Sequence, residues 1–265
     1  MKNRIAGLIF LAFVLSCGQD DNTTMRITPG HTLFINSLKQ QVQKNPDSAG
    51  LRMQLVNVLD SLGMYKDAIA QTDSLIKRDS LNNGLWFTKA LLLESNKDTA
   101  EAIKSYERAL RIYPSVEAQL NLANLLAETK NARSLLICRN VSQMGLGRET
   151  DASCNFIAGV YYARSGNNQQ ALNLFDKAIS NNYTLMEAYM EKGFIYYESK
   201  DYTNALKVFE TAITVNKMYP DAWYWKAKCY EAMGNKEEAL VNYKRSLGLD
   251  KNLKEAAEAV RRLSS

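Results

Sequence analysis

Residues 188–213 read AYMEKGFIYYESKDYTNALKVFETAI, and residues 222–247 read AWYWKAKCYEAMGNKEEALVNYKRSL. The two stretches start 34 residues apart and share a pattern of sizes. Each opens with Ala and an aromatic residue. A small residue follows (Gly193, Ala227), then a tyrosine three further on (Tyr196, Tyr230). After a polar break comes Ala-Leu (Ala205, Ala239), with an aromatic residue four later (Phe209, Tyr243). The apolar positions recur at helical spacing on both sides of the break. The break holds Gly234 in one copy and Lys200-Asp201 in the other, and a glycine there suits a helix that ends in the left-handed conformation. The unit is a helical hairpin.

The same spacing runs along the chain. Ala68, Ala102, Ala171, Ala205 and Ala239 follow one another at intervals of 34, 69, 34 and 34 residues. Four residues after them stand Thr72, Tyr106, Phe175, Phe209 and Tyr243, and twelve before them Val56, Ala90, Gly159, Gly193 and Ala227. Small residues let two helix axes approach, and bulky ones interlock around the contact. Glycine and proline total only 17 of 265 residues, 46% of the chain is apolar and 23% is charged. So few turn formers argue against an all-β sandwich, and so much apolar content argues against a disordered chain.

This register resembles the tetratricopeptide repeat. The resemblance implies an all-α fold, a right-handed α-solenoid of about six hairpins with a leading and a capping helix. It places repeats at 49–82, 83–115, 116–151, 152–185, 186–219 and 220–253 within a domain spanning 31–265. A solitary helix is expected over 33–44 and a cap over 254–263. The third repeat is degenerate: nothing in it matches Ala205, so Ala132 or Leu136 must substitute, and its second helix should be shortened or tilted. Where the family has leucine at the seventh repeat position, Lys89, Lys192 and Lys226 stand here, and their stems should lie along the surface.

The first residues carry a different message. Lys2 and Arg4 precede the apolar run Ile5–Leu15, and Leu15-Ser16-Cys17 closes it. Such a run is too short to cross a bilayer and has the form of a secretory signal. A small residue directly before the cysteine resembles the lipobox of bacterial lipoproteins of Bacteroidetes type. That resemblance implies a signal peptide at 1–16, a lipidated Cys17 and a flexible tether at 17–30, on a protein anchored in the outer membrane. The Gln19-Asp20-Asp21 stretch resembles an acidic surface-export signal; periplasmic and surface-facing placements both stay open. Removing Lys2 and Arg4 would take the formal charge from +5 to about +3. With no basic cluster in the chain, no nucleic-acid partner is expected.

Catalytic constellations are thin. His31 is the only histidine, no glycine-rich phosphate loop occurs, and neither enzyme activity, metal nor cofactor is expected. Beyond Cys17 the thiols are Cys138, Cys154 and Cys229. The spacing of Cys138 and Cys154 about the turn at 145–147 misaligns them by about one helical turn. Buried free thiols are the preferred reading of all three, with a disulfide left open by an oxidising envelope.

The tetratricopeptide resemblance implies a concave groove lined by the first helix of each repeat. Carried onto this chain, the family's lining positions fall on Phe87, Leu91, Leu120, Asn124, Phe156, Val160, Arg164, Met190, Phe194, Tyr197, Tyr224 and Lys228. Aromatic anchors with a polar rim suit an extended or helical peptide. Burial of these side chains by neighbouring repeats is the competing reading. The chaperone carboxylate clamp of some relatives is improbable, because Met53 and Leu120 stand where its lysine is needed. The expected function is therefore a membrane-anchored scaffold for protein or peptide partners; a surface accessory for glycan or lipid uptake is the alternative.

Overall fold

A computed structural model describes residues 28–264; the expected signal segment, Cys17 and residues 18–27 of the tether lie outside these. The described residues form 14 α-helices and no strand. A leading helix, α1 (Pro29–Lys44), precedes six pairs. They are α2 (Ala49–Ser61) and α3 (Tyr65–Ile76), α4 (Asn83–Ser95) and α5 (Thr99–Ile112), α6 (Val116–Glu128) and α7 (Arg133–Gln143). There follow α8 (Arg148–Arg164) and α9 (Asn168–Asn181), α10 (Met186–Glu198) and α11 (Tyr202–Val215), α12 (Pro220–Ala232) and α13 (Lys236–Leu249). The chain closes with α14 (Lys254–Ser264).

The leading helix starts four residues before the expected Leu33 and takes in Pro29 and Gly30, assigned from sequence to the tether. Its start is fixed locally. Thr28 Oγ1 accepts from the His31 amide, His31 Nδ1 accepts from the Thr28 amide, and Pro29 needs no amide partner at the first helical position. The lone histidine is a cap.

The helix pairs interlock by size. An added Cβ on Gly159 would lie 2.6 Å from the Phe175 ring, and one on Gly193 would lie 2.4 Å from the Phe209 ring. Where the small member is alanine, as at Ala90 and Ala227, the large member is tyrosine, Tyr106 or Tyr243, and both pairs are buried. Each phenol must then find an acceptor. Tyr106 donates to Glu94 and Tyr243 donates to Glu231 at 2.7 Å, each carboxylate lying one turn beyond its alanine. Between the helices of a pair, Gly63, Gly166 and Gly234 have positive φ, and Lys97, Lys130 and Lys200 take the same left-handed step at the equivalent places. The residue after it often caps the next helix, as when Asp98, Asn167 and Asp201 accept from amides three residues on.

Successive pairs are joined by a recurring ion pair. Lys89 meets Asp73 at 2.6 Å, Lys192 meets Asp176 at 2.5 Å and Lys226 meets Glu210 at 3.0 Å. These are the lysines that replace the family's leucine, and each reaches the second helix of the preceding pair. Their side chains are only 18–20% exposed, so the stems are covered as expected.

The described chain divides after Ala118 into two compact units. In the first, α1 packs Ile35, Leu38 and Val42 on Leu55, Val56 and Leu59 of α2. In the second, α10 to α12 share a core of Met186, Tyr189, Met190, Phe209, Ile213 and Cys229. The cap α14 seats Ala256 and Ala259 against Ala227, Ala239 and Tyr243.

The degenerate pair has the shortened second helix expected of it, but buries other residues than those expected. Helix α7 has 11 residues where α5, α9, α11 and α13 have 14. Ala132 and Leu136, expected to replace the repeat alanine, are both exposed. Ser134 and Cys138, four residues apart, are buried in their stead. Periodicity alone could not see this, because serine and cysteine carry no strong apolar signal.

Candidate partner-binding site

The twelve residues expected on the groove part into three groups. Phe156, Val160 and Met190 are buried, at 4%, 1% and 2% exposure, and cannot line a solvent-facing surface. Phe156 packs its ring 5.8 Å from Phe175, inside its own helix pair. For these three the expectation is corrected: α8 and α10 bury more of their circumference than a lone hairpin would, because neighbours cover both flanks.

Arg164 belongs to a second group. Its guanidinium bonds Glu191 at 2.9 Å through two nitrogens and Glu128 at 2.8 and 3.2 Å. One cation thus ties α8 to α6 and α10. Burial works against that charge, but the bonds to Glu191 and Glu128 outweigh it and raise its pKa. Burial also raises the Glu128 carboxyl, with Arg164 pulling the other way. Glu191 is 2% exposed, so Arg164 is structural before it is available to a ligand.

The remaining residues are half-buried. Phe87 and Leu91 lie in the first unit, where the Phe87 ring meets Tyr106 edge-on at 5.8 Å. Leu120 and Asn124 lie on α6, and Asn124 Oδ1 is buried without a hydrogen-bond partner among the described residues. Phe194, Tyr197, Tyr224 and Lys228 come together on α10 and α12 around a residue that the carried-over positions missed, Trp225.

Trp225 is the hub. Phe194 lies 4.6 Å from its ring, Tyr197 5.2 Å and Tyr224 5.8 Å, while Phe209 stacks beneath it at 6.1 Å. Lys228 Nζ sits 4.7 Å from the Trp225 ring, 5.5 Å from Tyr197 and 5.9 Å from Tyr224. Ring faces attract a cation, most strongly where water is partly excluded. No carboxylate lies within ion-pair distance of Lys228 among the described residues. Glu231, one turn on, is engaged by Arg262 and Tyr243. Burial lowers the Lys228 pKa, with Glu231 opposing. Burial also pushes Tyr224 up to about 12 and raises Tyr197, so both phenols stay neutral near pH 7. The site is an amphipathic ring platform carrying a cation that makes no direct ion pair, with Glu231 acting on it from one turn away. A signal was available in WYW at 223–225: residues two apart on a helix point to opposite sides, so Trp223 and Trp225 cannot share a role. Trp223 donates to the Lys217 carbonyl at 2.9 Å, and Trp225 turns to α10.

Among the described residues no group of three His, Cys, Asp or Glu side chains could hold a metal ion. No described helix is long and apolar enough to cross a membrane.

Tetratricopeptide-repeat models match residues 53–117, 193–234 and 220–253. The fold is similar to a tetratricopeptide repeat protein from Parabacteroides merdae, at TM-score 0.70 and 17% identity, covering 89% of this chain and 93% of that one. It is also similar to PilW, a type IV pilus biogenesis factor, at 0.62 and 19%, covering 81% and 97%, and to yeast Tom70 at 0.59 and 15%, covering 88% and 58%. No curated protein matches the sequence. The protein is an all-α solenoid whose repeats are tetratricopeptide repeats, a class that supports a scaffold for protein–protein interaction.

Proposed function

We propose that this protein is a lipid-anchored adaptor of the bacterial outer-membrane envelope that holds a peptide segment of a partner protein on α10 and α12. The observation that carries the peptide reading is Lys228, in no direct ion pair, within the Trp225, Tyr197 and Tyr224 rings. Such a platform favours a segment that pairs an apolar or aromatic side chain with a carboxylate, the first stacking on Trp225 and the second neutralising Lys228. The anchor rests on Leu15-Ser16-Cys17 and the apolar run before it.

Cross-linked pull-down from envelope membranes tests the adaptor. Specific protein partners, lost with Trp225→Ala and Lys228→Met while helicity is unchanged, support it. Unaltered capture by both variants, or recovery of glycan and no protein, refutes it. Cys17→Ser should move the protein from the membrane to the soluble fraction, and persistent membrane association would refute lipid anchoring.

A further inference from the structure

Helix α7 differs from the other second helices in its charge. Between Glu128 and Glu149 the chain carries Lys130, Arg133, Arg139 and Arg148 and no acidic residue. Every other second helix has at least one, such as Asp176 in α9 and Glu210 in α11. No run of basic residues marks the stretch; the missing acids do. Lys130, Arg139 and Arg148 enter no ion pair among the described residues. The helix is also two-faced. Ser134, Cys138 and Val141 are buried where α7 packs into the array, whereas Arg133, Leu136, Arg139, Asn140 and Met144, at helical spacing, are all exposed. Leu136 and Met144 are 55% and 51% exposed, and Leu146 in the turn that follows is 52% exposed. Gly145 and Gly147 on either side of it have positive φ, which ends the helix and leaves Leu146 standing out between them.

We propose that this face of α7 lies flat on an anionic phospholipid surface. Leu136, Met144 and Leu146 enter the boundary between headgroups and acyl chains, while Lys130, Arg139 and Arg148 meet lipid phosphates. Apolar burial and attraction to anionic lipid add together in a helix of this kind. The charge sets the sign of the occupant: a stretch with four cations and no acid matches a negative surface. The exposed apolar side chains set its kind. A protein partner must offer each of them a pocket, whereas fluid lipid moulds itself around a convex helix. Nucleic-acid phosphates would answer the cations and leave the three apolar side chains in water. With 11 residues α7 is about 16 Å long, so it rests on a bilayer and does not span one. The contact needs neither a lipid on Cys17 nor the Trp225 platform. An anchor at Cys17 would only raise the concentration of bilayer that α7 meets, and each reading stands if the other fails.

The test uses residues 18–265, which hold every described helix but neither the apolar signal run nor Cys17, so that no signal or lipid contributes. Co-sedimentation with phosphatidylcholine vesicles containing about one-third phosphatidylglycerol should exceed that with pure phosphatidylcholine by about tenfold or more. Arg139→Gln should lower the partition coefficient about fivefold, and Leu136→Gln combined with Met144→Gln by about tenfold or more. Val241→Gln removes a comparably exposed apolar side chain from α13 and should change nothing. All four side chains are exposed, so circular dichroism should match the parent throughout. Equal binding to the two kinds of vesicle, parental binding by either α7 variant, or a loss with Val241→Gln as large as with the α7 changes would overturn the proposal. No binding to anionic vesicles would overturn it as well; if the α7 variants then lose a protein in the envelope pull-down, the face belongs to an acidic protein surface.

Discussion

Replacing Gly193 with alanine tests the size interlock where it is tightest. The new Cβ would stand 2.4 Å from two Phe209 ring carbons and 3.1 Å from a third. Carbon atoms pack at about 3.5–4.0 Å, so ring and helix must separate by more than about 1 Å. The ring has little room to give, since Phe209 is fully buried and backs onto Trp225 at 6.1 Å and Phe194 at 6.2 Å. Overpacking of this kind costs about 1–3 kcal/mol, and the upper end applies to a fully buried ring. Alanine returns about 1 kcal/mol of helix propensity. The net loss is about 1–2 kcal/mol, or roughly 3–6 °C in Tm for a chain of this size. Thermal and urea unfolding followed by circular dichroism measure it. Phe209→Leu in the same chain should relieve part of the penalty, making the double variant less unstable than the sum of the singles. If Gly193→Ala is as stable as the parent, or the two changes are additive, the ring does not limit the approach of α10 and α11. Because Phe209 supports Trp225, the same variant should also weaken partner capture.

Arg164→Met would strand the Glu191 carboxylate, 2% exposed, without its cation; we expect a loss of about 3 kcal/mol in urea unfolding, mostly recovered by adding Glu191→Gln. Ser134→Ala should stabilise α7 by up to about 1 kcal/mol, because the Ser134 hydroxyl is buried with no partner among the described residues; a lower Tm would contradict that. Docking of α14 should weaken in acid. The Arg262 bond lowers the Glu231 carboxyl, helped by Tyr243 and opposed by burial, so its folded pKa lies below the ordinary 4.5. That stabilisation is complete above pH 4.5 and fades as pH falls through the folded value, so amide exchange in α14 should quicken there, and Glu231→Gln should remove the pH dependence.

How much of this could be read in advance depended on how far apart in the chain the interacting residues stand. Ala205, Phe209 and Gly193 lie within one hairpin, where helical periodicity fixes who meets whom, so the fold and its interlock were legible from spacing. The same holds for the lysines at 89, 192 and 226, whose covered stems followed from replacing a buried leucine. Contacts between pairs were another matter. Burial of Phe156, Val160 and Met190 depends on how tightly neighbouring pairs close on α8 and α10, and no local pattern carries that distance. Arg164 looked like a rim residue because its partners lie 27 and 36 residues away. Ser134 and Cys138 took the inward positions of α7, a helix three residues shorter than the second helices of the pairs on either side. Trp225 could be separated from Trp223 by helical geometry, but its role as the hub over which Lys228 lies required α10 and α12 in place. Sequence by itself determined an array of tetratricopeptide hairpins, because every hairpin repeats one short-range rule. Which faces remained open for a partner was decided by packing between hairpins, where side chains from three helices compete for the same space.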